Sequence, residues 1–195
     1  MAQTFAEEDT LASGQLLWGR NEPWTKGRLR IARAVIDAVA ADAVRCYEKD
    51  EEACGYLRGP AGDGPLVDEH VAMQNVANKL HQVDPETYFR TARTFFAFNE
   101  KKFDDAFQAS AAIGTPIKVL YHSHLDAGAY FSPTDQAVMS MGEPPSEEGG
   151  YVKLGPGPAW PMAFLVTSVR KGAVDDQKLF VWSGSAFVES PFEIV

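Results

Sequence analysis

A chain of 195 residues with 45% hydrophobic and 23% charged side chains has the size and balance of one globular domain, with or without a decorated terminus, and can bury roughly 70% of its unfolded surface. That excludes a collagen-like or wholly disordered chain. Its net charge of −9 repels phosphates and anionic lipid, and no run of Lys and Arg offsets it, so neither nucleic acid nor a membrane is expected as a partner.

Met1–Thr10 is polar and acidic, without the basic start and apolar middle of a secretory signal. No stretch of about 18 uncharged apolar residues predicts a membrane span. Cys46 and Cys54 are the only cysteines. They do not form a CxxC pair, so a disulfide scaffold is not expected and a reducing cytoplasm is the natural setting. Residues 1–27 are weakly patterned. Leu16, Leu17, Trp18 and Trp24 point to a segment that docks, and we read it as an N-terminal extension to a domain over residues 28–195.

From Leu29 to Tyr47 the apolar residues recur at helical spacing, with Val35, Ile36, Val39, Ala43, Val44 and Tyr47 on one face. This helix stops in the charged cluster Glu48–Glu52. Two strands, about 53–58 and about 66–77, follow across a Gly- and Pro-rich loop. Asp84-Pro85 has the form of a helix start, Asp as cap and Pro at the first position. The segment 85–110 is therefore predicted helical, with Phe89, Phe96 and Phe103 sharing a core-facing side. Gly114 and Pro116 end it. Residues 117–124 read as a buried strand, 142–161 as a long loop and 162–169 as another strand. A turn at 170–172 leads to strands near 177–183 and 186–189. The order predicts an α/β fold, one mixed β-sheet flanked by helices.

Chemistry concentrates between His122 and Asp135. Alternation along a strand aims His122 and His124 from the same face, and two neutral imidazoles are half of a zinc site. Ser132-Pro133-Thr134-Asp135 carries a helix start, Ser at the cap and Asp in the first turn. A loop of seven residues can return Asp135 to the histidines. Two His and one carboxylate leave a position open for water, the pattern of a catalytic zinc. Amide hydrolysis also needs a base, and Glu51 or Glu52, just before the strand at Ala53, could serve.

His-Ser-His, seven residues, Ser, two residues and Asp resembles the metal motif of the JAMM metalloproteases, also called MPN-plus or JAB domains. Glu52-Ala53-Cys54-Gly55-Tyr56-Leu57 is similar to that family's Glu-x-x-Gly-x-Leu segment. The resemblance spans roughly residues 28 to 190 in element order. It implies the layered, cytidine deaminase-like JAB/MPN fold. It implies one zinc per chain on His122, His124 and Asp135, with Glu52 as general acid and base and Ser132 as oxyanion donor. Glu51 is out of register with the motif. Asp50 and Leu125 stand where family members often carry Pro, and neither change removes a chemical group. Cys54 is expected to be buried and unreactive. His70 and His81 are expected to be ordinary packing or surface residues. Tyr130 and Phe131 flank the site. The 142–161 loop lies where relatives place a substrate-binding insertion.

The function implied is a zinc isopeptidase or peptidase of the stand-alone prokaryotic type. It would hydrolyse the amide after the Gly-ending C-terminal tail of a ubiquitin-like protein, as in deconjugation or precursor processing, including in bacterial ubiquitination-like antiphage operons. Such a tail can bind as an added strand. The alternatives are release of an amino acid or short peptide from a sulfur-carrier protein, a non-catalytic MPN scaffold that binds a partner, and a zinc hydrolase of a small molecule. The residues leave open the substrate, the kind of amide and the oligomeric state.

Overall fold

In the computed structural model, which describes residues 22–144 and 150–195, the apolar stretch after Leu29 divides in two. Its first residues are extended. Strand β1 (Arg30–Ile31) pairs in parallel with β3 (Leu66–Val67) and β9 (Glu193–Ile194), forming a small three-stranded sheet. Helix α1 (Arg33–Tyr47) then buries Val35, Ile36, Val39 and Ala43, four of the residues on the predicted face. Upstream, Trp24 is buried and its indole Nε1 donates to the Pro161 carbonyl at 2.6 Å. Leu16, Leu17 and Trp18 lie outside the described residues.

The main sheet has six strands, in the order β4-β2-β5-β6-β7-β8. These are β2 (Cys54–Arg58), β4 (Glu69–Met73), β5 (Ile117–Leu125), β6 (Ala163–Arg170), β7 (Ala173–Trp182) and β8 (Phe187–Ser190). Neighbours run antiparallel except β5 and β6, which are parallel. A mixed sheet flanked by helices is the predicted fold class, and the small sheet at its side is an addition to it. Strand alternation divides the core. Val119, Tyr121 and Leu165 pack with α1 on one face, while Leu120, Phe164 and Val166 pack with Phe103 and Phe107 of α3 (Glu100–Ala112) on the other.

Residues 84–99 depart from the predicted helix over 85–110. Helix α2 (Ala77–Val83) begins where the predicted second strand, 66–77, ends, and it stops just before Asp84-Pro85. The dipeptide therefore terminates a helix: Pro cannot continue one, and Asp84 Oδ1 accepts from the Thr87 amide at 3.1 Å in the turn that follows. The next helical start is at Asn99, whose side chain accepts from Lys102 N. Between them the chain is irregular, and its backbone is satisfied by distant partners. Ala92 N donates to Asn78 Oδ1 at 2.9 Å, the Ala92 carbonyl accepts from Glu52 N at 2.6 Å, and Val76 N donates to the Ala97 carbonyl at 2.8 Å. The seven-residue spacing of Phe89, Phe96 and Phe103 is thus not a helix face. Phe89 is exposed, Phe96 is buried beside the histidines, and Phe103 alone is helical.

Gly55, in the middle of β2, meets a close approach. A Cβ there would run into the Val71 carbonyl and the Tyr121 ring, whose hydroxyl donates to buried Asp42 at 2.6 Å and lies 2.8 Å from His70 Nε2. Gly55→Ala is expected to cost about 1–3 kcal/mol, lowering the melting temperature by roughly 3–10 °C in a chain of this size. Thermal unfolding followed by circular dichroism measures it.

Candidate metal centre

Every residue of β5 is buried, so His122, Ser123 and His124 are polar groups placed where only partnered ones persist. Ser123 Oγ accepts from the Ala53 amide at 2.8 Å, which ties the start of β2 to β5. His124 Nδ1 lies 2.9 Å from the Gly128 carbonyl, to which it donates, leaving the Nε2 lone pair free. The His122 ring stacks on Phe96, 4.5 Å between centroids.

Helix α4 (Pro133–Met139) follows the C-terminal end of β5, and its capping box presents the third group. Asp135 N donates to Ser132 Oγ at 3.1 Å, and Ser132 N donates to Asp135 Oδ2 at 2.8 Å. The same Oδ2 lies 3.3 Å from His122 Nε2 and 3.5 Å from His124 Nε2, and the two Nε2 atoms are 3.2 Å apart. Ligands about 2.0–2.1 Å from a tetrahedral zinc stand about 3.3 Å from one another. The donor set therefore fits such an ion, and its three members converge as the spacing predicts.

Electrostatics favour the metal-binding forms of His122 and Asp135. Burial pushes His122 below the usual imidazole range, keeping it neutral. Burial works against ionised Asp135, but the two imidazoles outweigh it and hold the carboxyl well below its ordinary range. For His124, burial is outweighed by Asp135 and the Gly128 carbonyl, so its pKa rises.

Glu52 precedes β2, and the antiparallel register Cys54 to His122, continued by two residues, brings it alongside His124. Its side chain is buried, and burial together with the Asp135 charge raises its pKa well above the usual carboxylate range, with Arg90 opposing. Glu51 turns away to accept from Asn78 Nδ2 at 3.0 Å. Cys54 is fully buried, and desolvation pushes its thiol up, away from the reactive range. His70 is half-buried against Tyr121, and His81 lies near the surface with Nδ1 2.7 Å from the Tyr88 carbonyl.

Glu52, His124 and Asp135 open into a cleft of about 330 Å³ that Ser132, Tyr130 and Arg90 also line. Tyr130 meets the His124 ring edge-on at 5.0 Å, whereas Phe131 packs into the core against Phe164 and Phe180. Beside the cleft an apolar hollow lined by Tyr88, Phe89, Phe95 and Val138 shares Arg90 and Thr134 with it. The described part of the 142–161 loop folds back on α4. Glu143 pairs with Lys153, and Gly155 N donates to Ser140 Oγ at 2.9 Å. A Cβ at Gly155 would strike the Ser140 carbonyl, which explains a glycine there. Sequence reasoning missed Arg90, Phe96 and Asn75, whose Nδ2 donates to the carbonyls of Glu52 and Phe95, 3.0 Å each. No local pattern marks these residues, because their conformations depend on partners far along the chain.

The profile of prokaryotic homologs of the JAB domain matches residues 32–178, and the chain belongs to that family. No curated protein matches it significantly. A solution structure of a Desulfitobacterium hafniense protein is similar with a TM-score of 0.56 at 16% identity, over 86% of this chain and 92% of that one. A protein of Salinibacter ruber is similar with a TM-score of 0.50 at 19% identity, over the same shares. A JAB1/MPN domain protein from Archaeoglobus fulgidus aligns over 87% of this chain and 99% of its own, at 14% identity and a TM-score of 0.46. Among the described residues no helix is long and apolar enough to cross a membrane.

Proposed function

We propose that this chain is a zinc-dependent peptidase acting on the amide bond that follows the Gly-ending C-terminal tail of a ubiquitin-like or sulfur-carrier-like protein. The observation that carries this reading is one cleft that the buried carboxyl of Glu52 shares with His124 and Asp135, two of the three groups that converge with His122. Buried polar groups oppose folding unless partnered, so their grouping in one cleft supports a catalytic site over a scaffold.

When bound, zinc acidifies a water and polarises the scissile carbonyl. Glu52 takes a proton from the attacking water and delivers it to the departing amine. Burial and the Asp135 charge raise its pKa above the ordinary carboxylate range, which suits it to carry a proton from one to the other. Ser132 Oγ accepts from Asp135 N with one lone pair, so its hydroxyl proton remains to stabilise the oxygen that gains charge. The Ser132 amide orients the carboxylate of Asp135 in turn. The strand carrying the histidines has β2 and β6 on either side, so a substrate tail does not add to β5 and lies in the cleft instead. Exposed Tyr88 and Phe89 beside it supply apolar contact suited to a protein surface.

The test is incubation of the zinc-loaded chain with ubiquitin-fold proteins extended past a C-terminal Gly-Gly, followed by intact-mass spectrometry. Cleavage after the Gly that stops with a chelator is expected, and intact substrates at all enzyme concentrations would overturn the reading. Ser132→Ala is expected to slow this cleavage about a hundredfold or more and to lower stability by about 1 kcal/mol through the lost cap. Ser132→Gly, which costs a cap only a few tenths of a kcal/mol and carries no side-chain donor, separates the two effects: most of the stability returns while the rate stays low.

A further inference from the structure

Two arginines line the cleft, Arg90 and Arg93. Arg93, at the same rim, is held between Asp50 and Asp126. Arg90 has no hydrogen-bond or ion-pair partner among the described residues, and its guanidinium carbon lies 5.3 Å over the Phe89 ring. A half-buried guanidinium, its face resting on an aromatic ring, keeps its planar fork of donors free for a planar anion.

We infer that Arg90 receives the α-carboxylate of the leaving amino acid, so that the preferred substrate is a linear C-terminal extension rather than an isopeptide-linked lysine. This rests on the peptidase reading above. The tail side of a Gly-ending substrate bears no charge close to the scissile bond. A single leaving amino acid bears one, its α-carboxylate, two bonds from the scissile nitrogen. A lysine attached through its side chain presents a neutral aliphatic stem at that place. Arg90 also lines the same cleft as Glu52, the group that protonates the leaving nitrogen. In the reaction the C–N bond breaks and a water oxygen bonds to the carbonyl carbon. One water proton passes through Glu52 to nitrogen, and the products are the shortened tail acid and a free amino acid paired with Arg90.

Four peptides test this on the zinc-loaded chain: acetyl-Ala-Ala-Gly-Gly-Ala as the free acid and as the carboxamide, the same tail joined to the Nε of blocked lysine, and a carboxamide ending in Asp. The free acid is expected to exceed the carboxamide and the isopeptide about tenfold or more in kcat/KM. Arg90→Gln should bring the acid-to-amide ratio near one, and Arg90→Lys should restore part of it. The ratio cancels any change that Arg90 works through Glu52. Equal cleavage of acid and amide by the wild type, or a ratio that survives Arg90→Gln, overturns the inference. So does cleavage of the Asp carboxamide as fast as the free acid, which would assign Arg90 to an acidic side chain. Calorimetry on the Glu52→Gln chain gives a second readout, tighter binding of acid than of amide, lost when Arg90→Gln is added. If no peptide is cleaved but that preference stands, the peptidase reading fails while Arg90 remains a carboxylate site.

Discussion

Glu52→Gln is expected to leave one zinc per chain and to reduce cleavage about 10²–10⁴-fold, the range for a general acid–base group. The change is close to isosteric, and the contacts that hold this stretch are made by its backbone. Glu52 N donates to the Ala92 carbonyl, and the Glu52 carbonyl accepts from Asn75. The variant therefore folds, and the loss falls on proton transfer. Zinc-to-protein ratios by mass spectrometry alongside initial rates measure both, and retained turnover in the loaded variant would sink the assignment of the base. The pH dependence of metal-free stability gives a separate check. Glu52 has a folded pKa raised by burial and by Asp135. Its contribution to stability is present below the unfolded carboxylate pKa and is lost as pH rises through the folded one. Glu52→Gln lacks that loss, so its melting temperature should gain on the wild type as pH rises above the ordinary carboxylate range.

His124→Ala is expected to take zinc from about one per chain to near none, and activity with it. Removing this imidazole opens the triangle of donors and also deprives buried Asp135 of a neighbour that holds it ionised. The variant should therefore be less stable than the wild type even without metal, because a buried carboxylate that loses its partner is costly. In the wild type, a metal present at about a thousandfold over its dissociation constant adds about 4 kcal/mol. A chelator should then lower the melting temperature by roughly 8–16 °C, and His124→Ala should not respond to it. Iron in place of zinc, which the same two-histidine, one-carboxylate set can hold, would move the site to different chemistry.

Much of this was legible because its signals are local. The strand that carries His122 and His124 announces itself by the mostly apolar stretch Ile117–Tyr121 before them, and alternation alone puts both imidazoles on one face. Ser132 and Asp135 are a helix cap in any context, so their geometry follows from four consecutive residues. The α1 face was readable from periodicity for the same reason. The segment 84–99 was not. Asp84-Pro85 is equally able to begin a helix or to end one, and a helix already formed at Ala77–Val83 decided which. The aromatic spacing then looked helical by coincidence, since Phe89, Phe96 and Phe103 serve surface, site and core separately. Arg30–Ile31 is a strand because Leu66–Val67 and Glu193–Ile194 stand on either side of it, information absent from its own neighbourhood.

The chain by itself determined that His122, His124 and Asp135 can converge as a donor set, because strand alternation and helix capping act over a few residues. The tertiary structure alone decided that Glu52, through the β2–β5 register, opens into one cleft with His124 and Asp135, that Arg90 lines it, and that Phe96 stacks on His122. Arg90 and Phe96 lie on irregular backbone whose hydrogen bonds go to Glu52, Asn75, Val76 and Asn78, and a conformation fixed by distant partners leaves no period in the sequence to read.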